Sequence, residues 1–248
     1  RLTVGSDVNP LHTDNFEEVS FGPILYGAKK LGMHIHTRYE VSNNAGQDIC
    51  DIVNNEGFDF LLVGSGISMS DSPDDIAATR YRTSFYNRYF KRFKAPESWF
   101  YPGALLKDKT KMFIARSNCD VGVFINRNFV KATNTLVVIS SEEDLFLLDY
   151  TRTLLKATHG SVGIVAKMST TTPGHDQILK ELWDFVSSIP QTQLLPDKDL
   201  TPGLFNSYNF MLIGYNTWND VSEHRKEALQ KMPSTLILNK NRRSSSDN

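Results

Sequence analysis

Continuous apolar runs alternate with amphipathic segments along most of this chain. Residues 60–63, 136–139 and 210–213 are apolar runs within the predicted strands 58–63, 135–139 and 210–213, as is typical of strands that are buried on both faces of a parallel sheet. Further strands are predicted at residues 33–41, 121–125, 161–166, 193–195 and 235–238. Apolar residues at helical spacing predict helices at residues 21–31, 45–56, 105–116, 141–160, 176–187 and 222–231. Strands that alternate with helices indicate an α/β fold with a parallel sheet.

Several of these helices carry end signals. Pro23 lies near the start of the first predicted helix and Gly32 follows its end, which is the usual polarity of proline and glycine in helices. Gly57 stops the second helix. Ser141, with Asp144 three residues later, resembles a capping box at the start of the fourth helix.

One stretch of the chain occurs twice. "FDFLLVGSG" at residues 58–66 has a counterpart in "YNFMLIGYN" at residues 208–216, so that Gly64 is equivalent to Gly214. Each copy is followed by a polar loop, a helix and a short apolar strand, which favours two copies of one fold over a chance similarity of two strands. We therefore expect one domain at residues 1–130, with an inserted helical segment at about 67–101. A second domain is expected at residues 131–240, followed by a polar tail at 241–248.

Composition narrows the classes of partner. The chain has 248 residues and a net charge of −1, from 27 basic and 28 acidic residues, so no global field would recruit nucleic acid. The two cysteines, Cys50 and Cys119, lack metal-ligand spacing and fit a reducing compartment. No apolar run approaches the roughly 20 residues of a membrane span.

The first residues, "RLTV", lack an initiator Met and read like the end of a strand, so we expect a fragment of a longer protein.

Two families resemble this element order and these motifs. "DFLLVG", a loop, a helix and "SNCDVGVFINR" resemble the universal stress protein fold. The stretches "RLT", "AGQDICDIVNNEGFDFLLVG" at residues 45–64 and "NCDVGVFINRNF" at residues 118–129 are similar to the cytosolic C-terminal region of cation/proton antiporters. These are the plant cation/H⁺ exchangers and the related fungal K⁺/H⁺ antiporter.

The antiporter resemblance implies an architecture and a function. It implies two universal-stress-like domains in tandem, with a Rossmann-like parallel sheet, of which the first lacks its N-terminal strand and helix. It implies a non-catalytic regulatory domain on the cytosolic face of a Golgi, endosomal or plasma membrane. Its partners would be its own membrane transport domain and a second copy in a homodimer. The alternative is a free-standing tandem universal stress protein that binds adenine nucleotide.

The first copy of the repeat keeps part of a phosphate-binding loop. In the universal stress family, ATP binds a glycine loop after the fourth strand and a Gly-Ser at the start of the last helix, where backbone N–H groups approach phosphate closely. Here Gly64, Ser65 and Gly66 are retained, but Asp71, Asp74 and Asp75 follow and would repel phosphate. Aligning Cys119 with the family's cysteine places Lys107 and Asp108 where Gly-Ser is expected.

The second copy departs further from that pattern. It has no glycine beyond Gly214, and Ser140 and Ser141 stand where the family commonly has an acidic residue that contacts adenine. We therefore expect no cofactor and interpret the glycines as a strand-to-loop turn. Gly64, Ser65, Gly66, Ser140, Ser141 and Gly214 remain the candidate contacts for a nucleotide or another small anion.

Residues 72–94 form a segment of unusual composition. "SPDD" is a strong helix start, and four aromatic residues recur at spacing four among basic ones. The basic residues that could contact an anionic membrane or a partner domain are Arg80, Arg88, Lys91, Arg92 and Lys94. The other interpretation is an inserted helix that buries its aromatic side chains on the domain, with its charges in solvent.

Other polar residues add little chemistry. His34 and His36 share one face of a predicted strand, but no third metal ligand is evident, so a polar strand face is the simpler interpretation. "RRSS" at residues 242–245 fits a basophilic kinase site with Ser245 as acceptor. The patterns typical of nucleophile elbows, zinc proteases and P-loops do not occur, so no catalytic residue is predicted.

Overall fold

The computed structural model describes residues 2–3, 13–38, 40–42, 44–64, 109–168, 173–196, 199–224 and 231–241. Nine strands lie in these ranges: β1 Leu2–Thr3, β2 Glu40–Val41, β3 Phe60–Gly64, β4 Asp120–Ile125, β5 Asn134–Ile139, β6 Ser161–Ala166, β7 Thr192–Pro196, β8 Phe210–Gly214 and β9 Ser234–Asn239. The helices are α1 Thr13–Lys30, α2 Ala45–Glu56, α3 Lys109–Arg116, α4 Leu147–Thr158, α5 His175–Ser188, α6 Pro202–Phe205 and α7 Tyr215–His224, with a 3₁₀ turn at Glu142–Asp144. Within these ranges no helix has the length and apolar character needed to cross a membrane.

Seven strands form one sheet, in the order β3-β4-β9-β8-β5-β6-β7. All neighbours in it are parallel except β4 and β9, which are antiparallel. β1 and β2 form a separate parallel pair. These mostly parallel pairs confirm the predicted α/β class with a largely parallel sheet. The apolar runs at β5, β6 and β8 are buried on both faces, as predicted for such a sheet.

The two copies of the repeated stretch have the same pairing with one neighbouring strand. β3 and β8 carry the repeated sequence. Each pairs in parallel with the next strand along the chain: β3 with β4, and β8 with β9. β4 and β9 then pair with each other in antiparallel orientation and join the two copies. The tandem arrangement and the boundary at residue 130 stay predictions.

Helices cover the sheet on two faces, each with its own hydrophobic core. On the α4 face, side chains of α4 and α5 such as Leu147, Leu182 and Phe185 pack on inward-facing residues of β5, β6 and β8. On the α7 face, Trp218 of α7 and Phe113 of α3 are almost fully buried, together with residues of α2 and α6. Helices on both faces are the usual arrangement for a sheet whose strands are apolar on both sides.

Several predicted helix ends are confirmed and others are wrong. α2 has the predicted bounds, and Gly57 adopts the left-handed conformation (φ 68°) with its N–H bonded to the Val53 carbonyl. α1 begins at Thr13, before Pro23, so proline does not mark its start. The last predicted helix, at 222–231, begins instead at Tyr215, directly after β8.

The predicted strand at residues 33–41 is mostly absent. Residues 33–38 have no regular secondary structure, and only Glu40 and Val41 form a strand, paired with β1. Alternating side chains allow an extended backbone, but a strand also needs a neighbour that accepts its ladder of hydrogen bonds. Met33 is 57% exposed, and no side chain of residues 33–38 is fully buried, although Ile35 and Thr37 are less exposed than their neighbours.

A polar link joins the strand β4 to elements late in the chain. The Tyr150 hydroxyl of α4 donates to Asp120 Oδ2 at 2.8 Å, and the Asn241 N–H donates to Asp120 Oδ1 at 2.7 Å. The ring of Tyr150 also contacts the ring of Phe60, with centroids 5.9 Å apart. The Asp120 link therefore holds the β3–β4 pair against α4.

Candidate functional site

The carboxyl ends of β5 and β8 lie side by side, because these two strands are parallel neighbours. β5 leads into Ser140 and Ser141, and β8 ends at Gly214, from which α7 begins at Tyr215. Carboxyl ends of adjacent parallel strands are the usual ligand position in open α/β sheets. The fold thus brings together Ser140 and Gly214, two residues that the sequence made candidates from separate parts of the chain.

Asp144 occupies the space between these two residues. Its side chain is buried, and Oδ2 accepts hydrogen bonds from the Ser140 N–H at 2.8 Å, the Ser140 hydroxyl at 3.2 Å and the Thr217 hydroxyl at 2.6 Å. The Ser140 and Thr217 hydroxyls also contact each other. Three donors on one oxygen satisfy a carboxylate that would otherwise be costly to bury.

The other carboxylate oxygen of Asp144 lies against Gly214. A Cβ atom placed on Gly214 would stand 1.9 Å from Asp144 Oδ1, far inside any permitted contact. Gly214 has no positive φ, so its missing side chain serves to admit the carboxylate. The glycine that elsewhere lets phosphate approach a backbone here lets in a carboxylate of the same chain.

A second acidic residue reinforces this arrangement at the start of α7. Glu143 Oε2 accepts a hydrogen bond from Asn216 Nδ2 at 2.7 Å. Carboxylates at the first turn of a helix are stabilised by the partial positive charge of its free N–H groups. The 3₁₀ turn therefore supplies two anionic side chains to the first turn of α7, where a phosphate would otherwise be favoured.

A groove of about 870 Å³ runs beside this cluster. Its lining includes two basic residues, Arg152 and Lys240, and six acidic ones: Glu142, Glu143, Asp144, Asp149, Glu181 and Asp184. An excess of carboxylates disfavours the approach of an anionic ligand such as a nucleotide phosphate. Among the described residues, no group of three His, Cys, Asp or Glu side chains could hold a metal ion.

The other predicted residues that the structure describes are Gly64, Ser141, His34 and His36. Gly64 is exposed at the end of β3, and Ser141 is half-buried without a side-chain bond to the turn that follows it. The capping box is therefore wrong in detail, since Asp144 bonds back to the N–H of Ser140 instead of Ser141. His34 and His36 are exposed, with ring centroids 4.6 Å apart.

Other predicted positions lie outside the described residues. These are Ser65, Gly66, Arg80, Arg88, Lys91, Arg92, Lys94, Lys107, Asp108 and Ser245. Sequence reasoning noticed Asp144 only as a helix cap and did not notice Thr217. The available signal was an acidic residue close after the end of β5, but its contact with Thr217 joins positions 73 residues apart.

Solved structures resemble this chain in fold. A universal stress protein from Archaeoglobus fulgidus DSM 4304 matches with a TM-score of 0.52, at 10% identity, over 98% of this chain and 85% of that one. The chain has a universal-stress-protein-like fold. A putative universal stress protein from Pseudomonas aeruginosa UCBPP-PA14 matches this fold equally well, with a TM-score of 0.52 at 10% identity over 97% and 82% of the two chains.

A transport protein also shares the universal-stress-like fold. The cytoplasmic domain of a prokaryotic cation chloride cotransporter matches with a TM-score of 0.52, at 10% identity, over 97% of this chain and 83% of that one. No family model matches the sequence. No curated protein matches it either.

Proposed function

We propose that this chain is a non-catalytic cytosolic regulatory domain of a monovalent cation/proton antiporter, in which an upstream membrane domain exchanges K⁺ for H⁺. The observation that carries the proposal is the carboxylate of Asp144, held against Gly214 by three hydrogen bonds. It fills the position at the ends of β5 and β8 that a nucleotide-binding member of this fold would need for its ligand. A domain whose ligand position is filled by its own side chain is suited to act through protein contacts.

Two further observations support a transport context. The stretches that resemble antiporter sequences, residues 45–64 and 118–129, fold into α2, β3, β4 and the turn after it, so they form one contiguous part of the structure. The cytoplasmic domain of a prokaryotic cation chloride cotransporter is similar in fold. At 10% identity, a shared fold does not by itself indicate a shared function. The antiporter assignment therefore depends on the resemblance of residues 45–64 and 118–129 to antiporter sequences.

Regulation would act through a difference in binding between transporter states. A domain that docks more tightly on one conformation of the membrane domain, or that dimerises more readily in it, shifts the transport equilibrium toward that conformation. The net charge of −1 adds little long-range attraction or repulsion to contacts of this kind. Both the membrane domain and a second copy of this chain are proposed partners.

Fractionation of source cells tests the proposal directly. With an antibody against the 248-residue chain, we expect the native polypeptide in membranes that resist carbonate extraction. We expect removal of the coding segment to change K⁺/H⁺ exchange in vesicles from these cells, while an unrelated membrane exchanger keeps its rate. A native polypeptide found only in the soluble fraction would contradict the antiporter assignment.

Nucleotide binding distinguishes the second candidate, a free-standing universal stress protein, which the fold of the Archaeoglobus protein favours. Because Asp144 and the acidic groove oppose phosphate, we expect isothermal titration with ATP and AMP to give no binding tighter than about 100 µM. A reference universal stress protein that binds ATP serves as the positive control. ATP binding with a dissociation constant well below that limit would favour the second candidate, provided that AMP displaces the bound ATP.

A further inference from the structure

The acidic groove of about 870 Å³ is lined in part by the residues that follow β9. Lys240 and Asn241 come directly after that strand, and both lie in the lining. In the sequence they begin the run "KNRR", in which Arg242 and Arg243 come next and lie outside the described residues. The first half of a basic run therefore already lies in a groove whose lining has six acidic residues and two basic ones.

Asn241 is held at the groove by two hydrogen bonds. Its N–H donates to Asp120 Oδ1 at 2.7 Å, and its Nδ2 donates to the Ser117 carbonyl at 3.2 Å. Asp120 also accepts the Tyr150 hydroxyl, so Asn241 lies beside α4. The chain therefore continues toward Arg242 from a fixed point in the lining of the groove.

Carboxylates of α4 and α5 in this lining are available to a further cation. Asp149 precedes Tyr150 in α4, and its 73% exposed side chain pairs with the 51% exposed Arg152 at 3.4 Å. Ion pairs between exposed side chains are weak, so this pair does not prevent a second contact. Asp184 of α5 is exposed and has neither a hydrogen bond nor an ion pair with a described residue.

Aromatic side chains in the lining suit a guanidinium group. Arg152 Cζ lies 5.0 Å from the centroid of the Phe185 ring, while the guanidinium of Arg152 pairs with Asp149. Phe146 and Tyr215 also line the groove. A guanidinium group stacks on aromatic rings and donates to carboxylates in its plane. The groove thus already holds one arginine of this chain by the two contacts that other arginines would use.

We propose that Arg242 and Arg243 bind in this groove, with their guanidinium groups on carboxylates that include Asp149 and Asp184. Two extended residues advance the chain by roughly 7 Å, so both arginines start close to the fixed position of Asn241. Opposite charge favours this occupant, and the covalent connection supplies it at high effective concentration. The chain's own tail then competes with any cationic segment of a partner protein for the groove. This inference does not depend on the proposed function.

Trypsin reports whether the two arginines are bound, because the protease must take an arginine side chain into its own pocket. In the folded 248-residue chain, we expect cleavage after Arg242 and Arg243 to be at least about tenfold slower than in a synthetic peptide of residues 238–248. The peptide carries a heavy-isotope label and is added to the same reaction as the rate standard. Mass spectrometry of the released C-terminal fragments measures both rates.

Isosteric substitutions test the carboxylates. Asp149→Asn with Asp184→Asn removes two charges from the groove at little change in shape, and we expect it to speed cleavage of the tail by at least about fivefold. Asp51→Asn with Glu223→Gln is the matched control, since it removes two exposed carboxylates that do not line the groove, and we expect no change. Thermal unfolding checks that both variants are folded. Salt at about 0.5 M should speed cleavage of the tail relative to the peptide.

Three results would overturn the proposal. Equal cleavage of the tail and the peptide would show that the arginines are not bound. Slow cleavage that the two asparagines leave unchanged would show that the nearby folded domain protects the tail without help from the groove carboxylates. Protection that disappears on dilution would assign the arginines to the groove of a second copy.

Discussion

Replacing Gly214 with alanine is expected to destabilise the protein by about 3 kcal/mol, because the new methyl group collides with the Asp144 carboxylate. The ideal Cβ position lies 1.9 Å from Oδ1, and Asp144 cannot move away without breaking its bonds to Ser140 and Thr217. Urea unfolding at pH 7 measures the loss. Gly203→Ala is the matched control, since the nearest atom to its Cβ position is 3.8 Å away.

A double-mutant cycle separates this collision from a general intolerance of alanine. Asp144→Ala alone is expected to cost about 3 kcal/mol, because Ser140 and Thr217 lose a charged acceptor. Since the collision needs both groups, Gly214→Ala with Asp144→Ala should cost less than the sum of the two, by about 1–2 kcal/mol. Strict additivity would mean that the carboxylate does not occupy the glycine's space.

Replacing Asp120 with alanine is expected to destabilise the protein by about 2 kcal/mol, because two donors then lose their acceptor. These donors are the Tyr150 hydroxyl and the Asn241 N–H. Tyr150→Phe removes only one of the bonds and keeps the ring against Phe60, so about 1 kcal/mol is expected. Urea titrations of the two variants measure this order, and an effect of Tyr150→Phe larger than that of Asp120→Ala would contradict it.

The same link predicts a dependence on alkaline pH. Burial, together with the hydrogen bond to Asp120 and the charge of that residue, raises the pKa of Tyr150 above its ordinary value. A raised pKa means that the folded protein holds the phenol proton more tightly than the unfolded chain. The contribution is therefore complete below the unfolded pKa of about 10 and is lost as pH rises above it.

Tyr150→Phe lacks this proton, so its stability should fall less steeply than that of the wild type from about pH 9 to about pH 11. The stability gap between the two proteins is expected to narrow over this range. Urea titrations at several pH values measure the two slopes. Tyr208, whose pKa burial also raises, is present in both proteins and contributes equally to each. Parallel slopes would contradict the role given to the Tyr150 hydroxyl.

The candidate site illustrates why sequence reasoning found part of a cluster and missed the rest. Ser140 and Gly214 could be placed at strand ends, because apolar runs mark where strands stop. Thr217 could not be placed, because a polar stretch after β8 was expected to be a loop, whereas α7 starts at once. That early start is stabilised by contacts of Asn216 and Thr217 with the turn at Glu143 and Asp144, and nothing local signals those partners.

The sequence by itself determined the α/β class, the apolar strands and the length of α2, because these depend on the periodicity of neighbouring residues and on a glycine at a helix end. Tertiary structure alone decided three other features: the antiparallel join of β4 to β9, the carboxylate over Gly214 and the exposure of Leu62. Each depends on residues far apart in the chain that meet only in the folded sheet. Leu62 and Leu212 have the same side chain in similar local sequences, and the neighbouring strands decide which of the two is buried.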